Sequence, residues 1–108
     1  MNRDYSDGPP RAEVDAMAGA VLLEFGTPWC GHCRAAQPLL EEAMAGFADT
    51  THVKVEDGSG RKLGRSFAVT LWPTLVFLRD GQELARLVRP TQMADIRQAL
   101  AQIHSDPA

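Results

Sequence analysis

A nearly continuous apolar run, Ala20-Val21-Leu22-Leu23-Glu24-Phe25, stops at Gly26 and Pro28. A run this short and this apolar suits a strand buried on both faces, which requires helices on either side of its sheet. The rest of the chain reads as the elements such a strand needs. Arg11 to Ala18 predicts a short helix, opened by Pro10 and closed by Gly19. From His32 or Cys33 to Phe47, residues Leu39, Leu40, Ala43, Met44 and Phe47 recur at helical spacing, and Pro38 removes a backbone donor and predicts a kink. Thr51-His52-Val53-Lys54-Val55 alternates as a second strand, and Arg61 to Phe67 forms a short helix after a loop. Thr74 to Arg79, the turn Asp80-Gly81, and Glu83 to Val88 make a hairpin. Thr91 is expected to cap a last helix striped by Met93, Ile96, Leu100 and Ile103. This order is an α/β pattern: a central mixed sheet flanked by helices on both faces. Residues 1–10 are polar, broken by Gly8-Pro9-Pro10, and read as a flexible arm or at most a short edge strand. Residues 11–108 read as a single domain.

Composition removes several classes of function. Eleven basic against fourteen acidic residues leave a formal charge of −3, so no basic field exists to hold a phosphate backbone and no nucleic-acid partner is expected. The longest apolar run, Ala16 to Leu23, lies between Asp15 and Glu24 and falls far short of the roughly 20 residues a membrane helix needs. Met1 to Pro10 shows no apolar stretch behind a basic end, so a secretory signal is not expected either. The expectation is a monomer that stays in the cytoplasm, where reducing conditions make a close cysteine pair catalytic or metal-binding more often than structural.

The two cysteines of the chain stand three apart in Trp29-Cys30-Gly31-His32-Cys33, after the buried strand and at the mouth of a helix. The first turn of a helix leaves N–H groups unpaired and carries partial positive charge. Cys30 at that end is expected to favour its thiolate, which is the nucleophile. Cys33 shares the helix face, can approach Cys30, and is better shielded, so it suits the resolving role in thiol–disulfide exchange. A zinc site and a pair of inert thiols are the competing readings. A structural zinc needs four ligands, and beyond the cysteines the chain offers His32, His52 and His104 without paired spacing, so no metal is expected and His52 and His104 are given no role. His32, between the cysteines, would stabilise a Cys30 thiolate and so the reduced state, raising the two-electron potential by about 30 mV for each tenfold gain; a solvent-exposed histidine without influence is the alternative. Glu24 is a carboxylate inside an apolar run, costly unless neutral, paired or wet. A solvent-facing edge carboxylate is the bland alternative.

The segment Val21 to Cys33 resembles the active-site strand and turn of the thioredoxin superfamily, and its Gly-His interior resembles protein disulfide isomerase domains more than Gly-Pro thioredoxins. Pro38 five residues after the second cysteine, Lys54 in the next strand, and Trp72-Pro73-Thr74 before the hairpin follow in the family's order; the resemblance covers about residues 20–104. It implies a thioredoxin fold whose first strand is reduced or absent here. It implies that Glu24 accepts the proton of Cys33, with Lys54 as its charge partner, and that Pro73 is cis and faces the cysteine pair. Trp29, Gly31, Trp72 and Pro73 would then line the substrate groove, Trp29 as a lid or, alternatively, as core. Pro38 and Lys54 would support the site. Trp72 and Arg89-Pro90 depart from the family's smaller residues, and Trp72 is open to three readings: packing on substrate, narrowing the groove, or core. The implied activity is thiol–disulfide oxidoreduction on protein disulfides or dithiols, with no cofactor and with electrons from a separate reductase or small thiol. A binding or assembly module acting by protein interaction is the alternative.

Overall fold

A computed structural model describes residues 4–104. The elements are α1 (Arg11–Asp15), β1 (Ala20–Gly26), α2 (Gly31–Ala45), β2 (Thr51–Glu56), α3 (Lys62–Ser66), β3 (Thr74–Arg79), β4 (Gln82–Val88) and α4 (Met93–His104). The four strands form one sheet in the order β2-β1-β3-β4, with β1 parallel to β2 and the other pairs antiparallel. All seven residues of β1 are buried, as its apolar run required of a central strand. The hairpin turns through Asp80 and Gly81, both at positive φ (51° and 81°), the geometry a two-residue turn needs to match the strand twist.

Side chains alternate along β1, and each set feeds its own core. Leu22 joins Leu40, Met44, Leu75, Phe77, Ile96 and Leu100 beneath α2 and α4. Val21, Leu23 and Phe25 join Val14, Leu63, Phe67 and Val76 beneath α1 and α3. By that alternation Glu24 lies on the α2 side, two residues from Leu22. The register sets it opposite Lys54 of β2, with His52 one pair earlier on the same face. Topology alone therefore brings three ionisable side chains together under the helix that starts at the cysteines.

Several element ends differ from the sequence reading by a residue or more, α1 and α4 among them. α1 ends at Asp15 rather than Ala18, because the chain turns through Ala16 and Met17 to reach Gly19 at φ 77°. α4 begins at Met93, and Asp95 N–H donates to the Gln92 carbonyl, so Thr91 lies outside the capping position. The segment before α1 is tied to the sheet edge over one bridge: Ser6 N–H donates to Lys54 O at 3.1 Å, and Glu56 N–H donates to Ser6 O at 2.8 Å.

Candidate active site

Cys30 is itself the N-cap of α2, with extended backbone (φ −77°, ψ 121°), and Cys33 N–H donates to its Sγ at 3.2 Å. A sulfur in this position takes the place of the usual Ser or Asp cap and satisfies one orphan donor of the first turn. Both cysteines are free thiols. Both are buried, but Cys30 retains 8% exposure against 1% for Cys33, so the outer residue keeps more contact with solvent than the inner one. Burial, reinforced by the hydrogen bond with Cys30, pushes the Cys33 thiol up to about 12; the Thr27 backbone and the Tyr5 hydroxyl oppose that rise. Gly26 makes room for this sulfur: a methyl group there would lie 2.6 Å from Cys33 Sγ.

Glu24 is wholly enclosed, which disposes of the solvent-facing alternative. His52 Nε2 lies 2.8 Å from its Oε1 and Gln37 Nε2 donates to its Oε2 at 2.7 Å. Lys54, expected as the direct charge partner, is 3.9 Å from Oε2 and instead donates to Gln37 Oε1 at 3.0 Å. Gln37 also donates to Cys33 O at 3.0 Å, so it links the carboxylate, the lysine and the α2 backbone. His52 was given no role from sequence; that reading is corrected, since its side chain is 2% exposed and meets Glu24. The signal was available once β2 pairs in register with β1, because His52 and Lys54 alternate onto the face that carries Glu24. Tyr5 was also missed. Its ring lies 4.3 Å from Lys54 Nζ, and its hydroxyl borders Gly26 beside the Cys33 sulfur. An aromatic in a polar arm gave no sign of this in the sequence.

At the rim, Trp29 is 71% exposed, so it does not pack in the core. It stands edge-on to Trp72, with ring centroids 5.7 Å apart. Trp72 is half-buried and its Nε1–H donates to Asp57 Oδ2 at 2.9 Å, which fixes the ring beside the site. The Trp72–Pro73 peptide is cis. Arg89, at φ 50°, returns over this segment: its N–H donates to Pro73 O and its Nε donates to Trp72 O, both at 2.9 Å. His32 and Gly31 are exposed on the first turn of α2, and Pro38 lies exposed within that helix. Among the described residues no cluster of three or more His, Cys, Asp or Glu side chains could hold a metal, and no helix is long and apolar enough to cross a membrane.

The thioredoxin family model matches residues 10–102. Thioredoxin 2 from Pseudomonas aeruginosa PAO1, solved in its reduced form, is 54% identical and superimposes with a TM-score of 0.85, covering 96% of this chain and 97% of that one. Thioredoxin of Chlamydia pneumoniae is 37% identical over 66% of this chain and 70% of its own length. Human Protein disulfide-isomerase A2 is 44% identical over 73% of this chain; the match spans 19% of that longer protein.

Proposed function

The chain belongs to the thioredoxin family, and from that premise we propose that it is a thiol–disulfide oxidoreductase in which Cys30 attacks and Cys33 resolves. The observation that carries this reading is the hydrogen bond from Cys33 N–H to Cys30 Sγ at the mouth of α2, with the second thiol enclosed one turn deeper. Negative charge on Cys30 Sγ is met there by an N–H and by the positive end of the helix. The Cys30 thiolate attacks a substrate disulfide, one substrate sulfur leaves as thiolate, and a Cys30–substrate disulfide forms. Cys33 then loses its proton and attacks Cys30 Sγ. The mixed disulfide breaks, the second substrate thiol leaves, and Cys30 and Cys33 end as an intramolecular disulfide. Two electrons have passed to the substrate; in reverse the same steps oxidise a dithiol.

Glu24, coupled to His52, takes the proton from Cys33, and Gln37 and Lys54 hold the carboxylate in place. The paired Trp29 and Trp72 rings and the Pro73 segment border the mouth of α2 at Cys30 and receive an extended protein segment. His32 stabilises the reduced pair and makes the couple more oxidising than a Gly-Pro site, a behaviour nearer protein disulfide isomerase domains. The natural setting is the cytoplasm, with protein disulfides as substrates and a reductase or small thiol as electron source. Insulin reduction by dithiothreitol tests the activity: the protein should accelerate precipitation of the insulin B chain, and a rate equal to that of the reagent alone would refute it. Cys33→Ser should accumulate mixed disulfides through Cys30, and their absence would refute the order of attack.

A further inference from the structure

The inner sulfur presents a physical difficulty that Glu24 does not remove. Cys33 must become a thiolate to resolve the mixed disulfide, yet it sits at 1% exposure, where a charged sulfur is poorly solvated. Both oxygens of Glu24 are already engaged, by His52 and Gln37. The side chain that converges with Cys33 Sγ is Tyr5. A methyl placed on Gly26 would meet Cys33 Sγ at 2.6 Å and Tyr5 Oη at 3.2 Å, so both heteroatoms border the space over the same glycine.

We propose that the Tyr5 hydroxyl is the hydrogen-bond donor that stabilises the Cys33 thiolate during resolution, delivered to the site by docking of the segment before α1 against β2. This rests on the exchange reading above. Three contacts position the ring. Ser6 pairs with Lys54 and Glu56 immediately after it, and Gly8 packs against Val55 and Leu63. The Lys54 ammonium lies 4.3 Å from the ring centroid. Charged or titratable groups face the Tyr5–Cys33 pair from the N-cap of α2 (Cys30), β1 (Glu24) and β2 (Lys54). Burial, followed by the negative charge of Glu24, holds the Tyr5 hydroxyl protonated well above the usual phenol range, so it can donate to a thiolate without surrendering its proton. The bond changes are those of resolution: the proton of Cys33 goes to the Glu24–His52 pair, a Cys33 Sγ–Cys30 Sγ bond forms as the Cys30–substrate bond breaks, the substrate sulfur leaves as thiolate, and the Tyr5 O–H bond stays intact throughout.

Ellman's reagent separates the two steps. Reduced protein releases one coloured thionitrobenzoate as Cys30 attacks, and a second as Cys33 displaces the first adduct. Tyr5→Phe should leave the first stopped-flow phase unchanged and slow the second roughly 10- to 100-fold, the worth of one hydrogen bond to a charged group. Ser6→Pro, which removes the N–H that donates to Lys54 O, should slow the same phase, and the double variant should be no slower than Tyr5→Phe. An unchanged second phase in Tyr5→Phe, or equal slowing of both phases, would overturn the proposal. In a Cys30→Ser background, NMR of carbon-13-labelled Cys33 Cβ should show its titration move up by about one pH unit or more on Tyr5→Phe. This second readout needs no exchange activity. If the wild type released no second thionitrobenzoate, the exchange reading would fail, while an unmoved Cys33 titration would by itself remove Tyr5.

Discussion

Glu24→Gln separates the chemical from the structural work of the buried carboxylate, because the amide keeps its shape and removes its charge. At 3.9 Å and an effective dielectric of about 20, the attraction between Glu24 and Lys54 is about 4 kcal/mol. Against it stands the cost of holding a carboxylate with no exposed surface, several kcal/mol. The two nearly cancel. Gln at 24 can still accept from Gln37 and can donate to His52 once the imidazole presents an unprotonated nitrogen. Stability of the reduced protein should therefore change by less than about 1.5 kcal/mol, or about 6 °C in Tm for a domain of this size. The resolving step should change far more. Loss of a positioned proton acceptor costs typically 10²- to 10⁴-fold, so the second release of thionitrobenzoate should slow at least about 100-fold while the first is unaltered. A drop in Tm beyond about 10 °C would make Glu24 chiefly a counter-charge for Lys54. Resolution at the wild-type rate would show that Cys33 gives its proton elsewhere.

The raised ionisation of Cys33 has its own stability signature. Its thiol ionises at about 12 in the folded protein against an ordinary value of 9.0, so above about pH 9 the unfolded chain sheds a proton that the folded chain keeps. The reduced protein should lose stability progressively between about pH 9 and 12, and Cys33→Ala should lose less over that range by urea unfolding. Gly26→Ala places a carbon 2.6 Å from Cys33 Sγ. It should cost about 1–3 kcal/mol by chemical denaturation and slow disulfide closure, and a wild-type closure rate would contradict the close fit. Trp72→Phe removes the bond to Asp57, which should lower stability by about 1 kcal/mol. The freed rim should raise KM for insulin with kcat held; a fall in kcat alone would place Trp72 in the chemistry rather than in the groove.

What the sequence made legible were features carried by local pattern. The apolar run of β1, the Asp80-Gly81 turn and the stripe of α4 each announce themselves within a few residues, and the cysteine spacing sits where strand meets helix. Glu24 stood out because a carboxylate in an apolar run demands an explanation. Its partners did not. His52 looked like one polar position in an alternating strand, and Gln37 like an ordinary helix residue, because only the parallel register of β1 with β2 and the placement of α2 above them make these side chains neighbours. Tyr5 was hidden for a stronger reason: it reaches Cys33 from 28 positions away in sequence, through a segment held to β2 by a single bridge. Exchange of roles between Lys54 and Gln37 was equally beyond local pattern, since it depends on which of two long side chains reaches the carboxylate first.

A redox titration of the cysteine pair in glutathione buffers, read by mass after acid quenching, addresses the exchange chemistry most directly. Both thiols should disappear together at a single midpoint, with the loss of two hydrogens and no lasting glutathione adduct, and Cys33→Ser should instead retain one glutathione on Cys30. Independent loss of the two thiols, or a stable adduct on the unsubstituted protein, would contradict it.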